Sequence, residues 1–162
     1  MIDSLRTHLP ESDIAIRFVL AAILGGLIGL ERELKDRPAG LRTNMLTSLA
    51  AAVFTVLTFE IYHAVKAMGT DRMDPIRIIE AVTAGVAFLA AGTIIKSGGK
   101  VEGLTTGAGM WLAGAIGVSC GAGFYILALI ATVLAGTILV GLHWFERHIL
   151  EQRKEHVRRP ED

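Results

Sequence analysis

The sequence predicts an all-α polytopic membrane protein, a bundle of five transmembrane helices with its N-terminus outside and its C-terminus in the cytoplasm. Three observations carry that expectation. Five apolar blocks, none with a charge at its centre, are separated by short charged segments. Hydrophobic residues make up 52% of the 162 positions, with a mean hydropathy of +0.51, more apolar surface than a soluble core of this size hides. Lysines and arginines fall unevenly once alternate loops are grouped, and that asymmetry sets the direction of insertion.

The first block, Ile14 to Leu30, is entered through Pro10, Ser12 and Asp13 and left through Glu31-Arg32-Glu33. It would span roughly 25 Å, and Arg17 near one end is expected to snorkel and extend it. The second block runs from Thr43 to Phe59, the third from about Ile78 to Ile95, the fourth from Leu104 to Ala122 and the fifth from Phe124 to Leu142. Only Gly121-Ala122-Gly123 joins the last two, which predicts a tight antiparallel helical hairpin. The glycine-rich fourth block is the candidate for a re-entrant segment if the count were four. Two regions follow: a helical membrane domain over residues 1–145 and a short charged cytoplasmic tail over 146–162.

With five spans, Arg32, Lys35, Arg37, Arg42, Lys96, Lys100 and the tail cations make eleven basic residues on one side, against five on the other, Arg6, Arg17, Lys66, Arg72 and Arg77. The richer side is cytoplasmic under the positive-inside rule. Overall charge is balanced at 16 against 16, which argues against a nucleic-acid binder. The single cysteine, Cys120, excludes an internal disulfide framework and a cysteine-based zinc site. No Ser, His and Asp arrangement, nucleophile with a base or cofactor motif is present, so no catalytic residue and no cofactor is assigned and an enzyme is not expected.

Small residues recur at helical spacing. Thr105, Gly109, Ala113, Gly117 and Gly121 follow one another every four positions, and Gly25 and Gly29 repeat the pattern in the first block. Such seams let backbones approach closely, either between helices of one subunit or across a homodimer. Gly85 and Gly92 are the corresponding packing candidates in the third block.

The first cytoplasmic loop holds the densest charge. A helix continuing past the membrane edge would pair Glu31 with Lys35 and Glu33 with Arg37 at i,i+4, while Pro38 ends the helix and Gly40 permits the turn. The result is either a solvated helix end or a fixed ionic cluster for a cation, a lipid headgroup or a protein partner. The Gly99-Lys100 pair is not a P-loop, since no glycine lies five positions earlier and no Ser or Thr follows. Thr105 or Thr106 is placed to cap the fourth helix, whose N-terminal amides suit an anionic group. Glu31, Glu33, Asp36 and Glu102 all have basic neighbours, and no magnesium ligand set can be named from them.

Gly29-Leu30-Glu31-Arg32-Glu33, the loop Arg37-Pro38-Ala39-Gly40-Leu41-Arg42-Thr43 and Gly103-Leu104-Thr105-Thr106 together resemble the MgtC/SapB family in order and spacing. Gly85 to Gly92 resembles that family's glycine-rich third-helix motif, with Ala87 and Ala90 where glycine is common and Glu102 in place of a usual basic residue. The resemblance implies a multi-pass protein of the bacterial inner membrane, linked to magnesium homeostasis and adaptation to low magnesium, in a family associated with virulence. It implies a regulator acting on membrane partners such as a transport ATPase or the F-type ATP synthase, with transport of magnesium or another cation as the alternative. It also implies a C-terminal ACT-type domain in many relatives, for which the residues after the fifth helix are too few. The functional cluster implied is Glu31, Arg32, Arg37, Pro38, Gly40, Arg42, Thr43, Gly103, Thr105 and Thr106.

Overall fold

The computed structural model describes residues 7–69, 74, 76–97 and 99–157, with side chains as far as residue 141 except at 97. Its elements run α1 (Glu11–Glu33), α2 (Leu41–Ala67), α3 (Arg77–Ala91), β1 (Ile95–Ser97), β2 (Lys100–Glu102), α4 (Leu104–Gly121) and α5 (Tyr125–Val157). The described chain is helical apart from one pair of short strands. Among the described residues, α1 and α2 are long and apolar enough to cross a membrane, and the segment Tyr125–Gly141 of α5 is a shorter apolar helix.

α4 sits at the centre and touches each of the other four helices. Its sequence suits the position, because small side chains on the faces turned toward α2 and α3 let those helices approach closely. A Cβ on Gly117 would collide with the Ser48 carbonyl, and one on Gly121 would come within 2.7 Å of the Ala52 carbonyl. These two glycines bring α4 against α2. On the other face, a Cβ on Gly114 would lie 2.9 Å from Val86 and one on Gly107 3.1 Å from the Ala90 carbonyl, so a spacing of seven seats α3. Crowding accounts for the glycines of α4, which is one continuous helix. The main core joins Ala21, Leu24 and Ile28 of α1 to Ala52, Ile116, Cys120, Ala128 and Ala135, and Val82 and Val86 of α3 meet Ala51 in a smaller cluster.

Hydrogen bonds between residues distant in sequence fix the helix directions. Near the start of α1, Arg17 Nη1 donates to the carbonyl of Gly121 at the end of α4, 2.6 Å away. Near the end of α1, Arg32 Nη2 donates to Thr106 Oγ1 at the start of α4. The two helices are therefore antiparallel and pinned at both ends. The Glu60 carboxylate on α2 accepts the backbone N–H groups of His8 (2.5 Å) and Leu9 (3.0 Å), which ties the far end of α2 to the approach of α1.

Several sequence expectations change. Arg17 is half-buried and caps the last carbonyl of α4 rather than snorkelling, because a helix C-terminus carries unsatisfied carbonyls and a partial negative charge. The second block, expected to end at Phe59, runs on as helix to Ala67. The third ends at Ala91 instead of reaching Ile95. Thr93 Oγ1 donates back to the Ala90 carbonyl at 2.7 Å, and the β-branched Ile95 enters an antiparallel pair with Glu102. The fifth apolar block ends where expected, but the helix does not: α5 continues to Val157, across the 145/146 boundary, giving a rod of roughly 50 Å. Trp111 is about half exposed on the outer face. Gly85, expected as a packing glycine, has open space where a methyl group would stand, with nothing within 4 Å, and Gly92 meets only carbonyls of its own last turn. The α4–α5 hairpin has the expected place, closed by Phe124 N–H to the Ser119 carbonyl (2.8 Å) and Gly123 N–H to the Cys120 carbonyl (3.0 Å), with Gly123 at φ 83.

Candidate functional site

The end of α1, the loop after it, the strands β1 and β2 and the start of α4 converge on one cleft of about 620 Å3, with Leu139 of α5 closing a side. Arg32 forms its inner wall. The side chain is 5% exposed, although the guanidinium is permanently charged. It is held by two neutral acceptors: Nε donates to the Pro38 carbonyl at 3.1 Å, and Nη2 donates to Thr106 Oγ1. Among the described residues no carboxylate pairs with it. Glu31 lies one position away but is engaged by Lys35 Nζ, four residues on in the turn that follows α1.

The loop that presents Pro38 is shaped by its backbone. Arg37 N–H bonds the Arg32 carbonyl at 2.9 Å, closing the turn after α1, and Asp36 (φ 50) and Ala39 (φ 55) both take left-handed conformations. Asn44 is fully buried and donates Nδ2 to the Ala39 carbonyl (2.6 Å) and the Gly40 carbonyl (3.0 Å), so α2 holds the loop from behind. Gly29 and Gly40 meet here. A Cβ on Gly29 would stand 2.5 Å from the Gly40 carbonyl, and one on Gly40 would overlap Glu33. Glu33 does not pair with Arg37 as the i,i+4 pattern predicts. Helix α1 ends at Glu33, and its carboxylate turns to accept the N–H of Leu41 at 3.0 Å, in the first turn of α2.

On the opposite wall Gly103 is the N-cap of α4 at φ 88, where a Cβ would overlap the Thr93 carbonyl. The start of α4 carries no side-chain cap, so the predicted capping role of Thr105 or Thr106 is corrected. Both lie inside the first turn. Thr106 faces inward, 2% exposed, and serves Arg32 instead, while Thr105 is exposed on the cleft wall.

Of the ten residues singled out from sequence, Glu31, Arg32, Arg37, Pro38, Gly103, Thr105 and Thr106 line the cleft. Gly40, Arg42 and Thr43 do not; Gly40 lies behind it, and Arg42 and Thr43 are exposed on the first turn of α2. Missing from the set were Lys35, Thr93 and Glu102, with an apolar strip of Ile95, Val101, Leu104 and Leu139. The strip is invisible in the sequence because it depends on the pairing of β1 with β2, and Ile95 there reads as the end of a helix. Asn44 could have been found, being the one amide inside an apolar block beside the turn. The packing candidates Gly25, Gly29, Gly109 and Gly117 all lie at helix contacts; a Cβ on Gly109 would touch Ile28 at 3.9 Å, and Gly25 stacks directly over Ser48. Among the described residues no three His, Cys, Asp or Glu side chains converge as a metal site.

The family model described as the MgtC family matches residues 18–148, most of the chain and all of the elements that build this cleft. The chain belongs to the MgtC family. Among curated MgtC-family relatives, it is 42% identical over 113 residues to protein MgtC of Brucella abortus, covering 70% of this chain and 44% of that protein. It is 36% identical over 132 residues to YhiD of Escherichia coli K12, named as a candidate magnesium transporter, covering 82% of this chain and 61% of YhiD. Against protein SapB of Bacillus subtilis the identity is 34% over 140 residues, covering 86% of this chain and 60% of SapB. The chain therefore spans from 44% to 61% of the length of these relatives. No solved structure matches it.

Proposed function

We infer that this MgtC-family chain is a multi-pass protein of the bacterial inner membrane that supports magnesium homeostasis as a non-enzymatic regulator, engaging a membrane partner through the Arg32 cleft. The observation that carries the reading is the cleft itself: a buried arginine fixed between two neutral acceptors, with Lys35, Arg37 and Thr105 beside it, at the end of the bundle where the charged loops gather. Such a site is built for recognition at a membrane edge. A transport ATPase or the F-type ATP synthase is the partner class that the resemblance supplies.

Five spans are supported by the outward belt of large apolar side chains on every helix, including Ile23, Phe54, Phe88, Trp111 and Leu127, each at least half exposed. Lipid would cover them. Eleven basic residues against five favour a cytoplasmic position for the cleft. A cation path along the small-residue seam of α4 is the competing reading, favoured by the name of YhiD. The close approach of Gly117 and Gly121 to α2 argues for a packed seam instead, and it also favours packing within one subunit over a homodimer seam on that face. The deciding experiment pairs magnesium flux into liposomes holding the purified chain with crosslinking from a cysteine placed at Arg37, in membranes from magnesium-starved cells. No flux with a defined crosslinked membrane protein is expected. Magnesium flux well above empty liposomes, with no crosslinked product, would replace the regulator with a transporter.

A further inference from the structure

Burying a charge without a counter-charge is costly, and proteins that do so normally supply an anion from elsewhere. Arg32 is such a charge. Its acceptors are a carbonyl and a hydroxyl, both neutral, and the two carboxylates adjacent in sequence are engaged elsewhere, Glu31 by Lys35 and Glu33 by the Leu41 N–H. Three cations, Arg32, Lys35 and Arg37, share the cleft with two carboxylates, Glu31 and Glu102, leaving an excess of one positive charge. The start of α4 adds to it, since an 18-residue helix without a side-chain cap presents free N–H groups and the positive end of its dipole to the same space. Directly beside this polar half runs the apolar strip through Leu104 and Leu139.

We propose that the cleft is a binding site for a phosphoryl anion, the phosphate of an acidic phospholipid headgroup or a free phosphate group, seated between Arg32, Arg37 and the first turn of α4. A lipid would place its phosphate on the basic half and its glycerol and upper acyl chain along the apolar strip. Basic pockets between helices at the cytoplasmic membrane surface meet anionic lipid in just this way. Thr105, exposed on the wall one position before Thr106, supplies a hydroxyl to a phosphate oxygen. The anion would complete the charge of Arg32, so occupancy of the cleft and the geometry of the loop at Pro38 are coupled. This inference rests on the membrane placement proposed above and is independent of which protein partner is engaged.

The test uses the full chain purified in mild detergent, with retained lipid read by native mass spectrometry. The probes are 1-palmitoyl-2-oleoyl phosphatidylglycerol, the phosphatidylcholine of the same chains, and inorganic phosphate as competitor. Phosphatidylglycerol is expected to be retained in preference to phosphatidylcholine. The double substitution Lys35→Gln with Arg37→Gln, both at the cleft mouth, should weaken that retention about tenfold, whereas Lys66→Gln, on the far end of α2, should leave it unchanged. Loss of bound lipid on adding phosphate, together with thermal stabilisation by phosphate alone, would identify a soluble phosphoryl ligand. Retention unaffected by phosphate identifies the lipid. Equal retention of the two lipids with no effect of phosphate, or a preference unchanged in the folded double variant, would overturn the proposal. Because the isolated chain is measured, this failure is separable from a failure of magnesium-dependent growth.

Discussion

At the scale of single residues, the cleft depends on groups that have no substitute. Thr106 gives Arg32 a hydroxyl acceptor inside a buried contact, so Thr106→Val leaves a charged donor unpaired and should cost about 1–3 kcal/mol, while Thr106→Ser should be near neutral. Unfolding in mild detergent reads the difference. Gly103→Ala should also destabilise, by roughly 1–3 kcal/mol, because φ 88 is unfavourable for alanine and its methyl would meet the Thr93 carbonyl. The residue types are legible before the fold: Arg32, Gly40, Gly103 and Thr106 all stand out. Their pairings are not. Local spacing suggests Glu33 with Arg37 and Thr106 as a cap, yet the partners are the Leu41 amide and Arg32, the second across 74 positions. Spacing along one helix reports i,i+4 neighbours and is silent about contacts that form only when helices pack.

At the scale of elements, all five helices begin close to the start of an apolar block, because the polar or glycine-containing turn before each block is where the preceding helix has ended. The far ends of the third and fifth depart from the blocks in opposite directions. Ile94 and Ile95 continue an apolar run and so read as helix, but β-branched residues followed by Gly-rich sequence pair as strands once the turn at Gly99, φ 80, folds the chain back. In α5 the change to charged residues after Leu142 reads as an end, whereas charged sequences of good helix formers continue a helix into water. The glycine seam of α4 makes a clean prediction. Gly117→Val should disrupt the α2–α4 contact and lower stability by about 1–3 kcal/mol. Gly136→Ala on α5, with nothing within 4 Å, should be neutral or stabilising by up to about 1 kcal/mol in the same unfolding assay.

For the whole molecule, the two ends of the bundle have different characters. One end is tied by Glu60 to the approach of α1 and by Arg17 to the end of α4, and it carries the stacked rings of His8 and His63, 4.0 Å apart. The other end holds the Arg32 cleft. The proposed orientation predicts that a cysteine at Lys100 in β2 reacts with a membrane-impermeant maleimide only from the cytoplasmic side, and one at Met68, exposed at the end of α2, only from outside. Labelling of intact cells against inverted vesicles distinguishes them. The same position of the cleft leads to the most direct test of its role. In a bacterium lacking its own family member, rescue of growth in low magnesium should be lost with Arg37→Glu, which reverses charge at the cleft wall, and retained with Arg42→Glu, which lies outside it. Membrane levels of the two proteins must match. Full rescue by Arg37→Glu, or equal loss by both substitutions, would contradict the assignment of function to the Arg32 cleft.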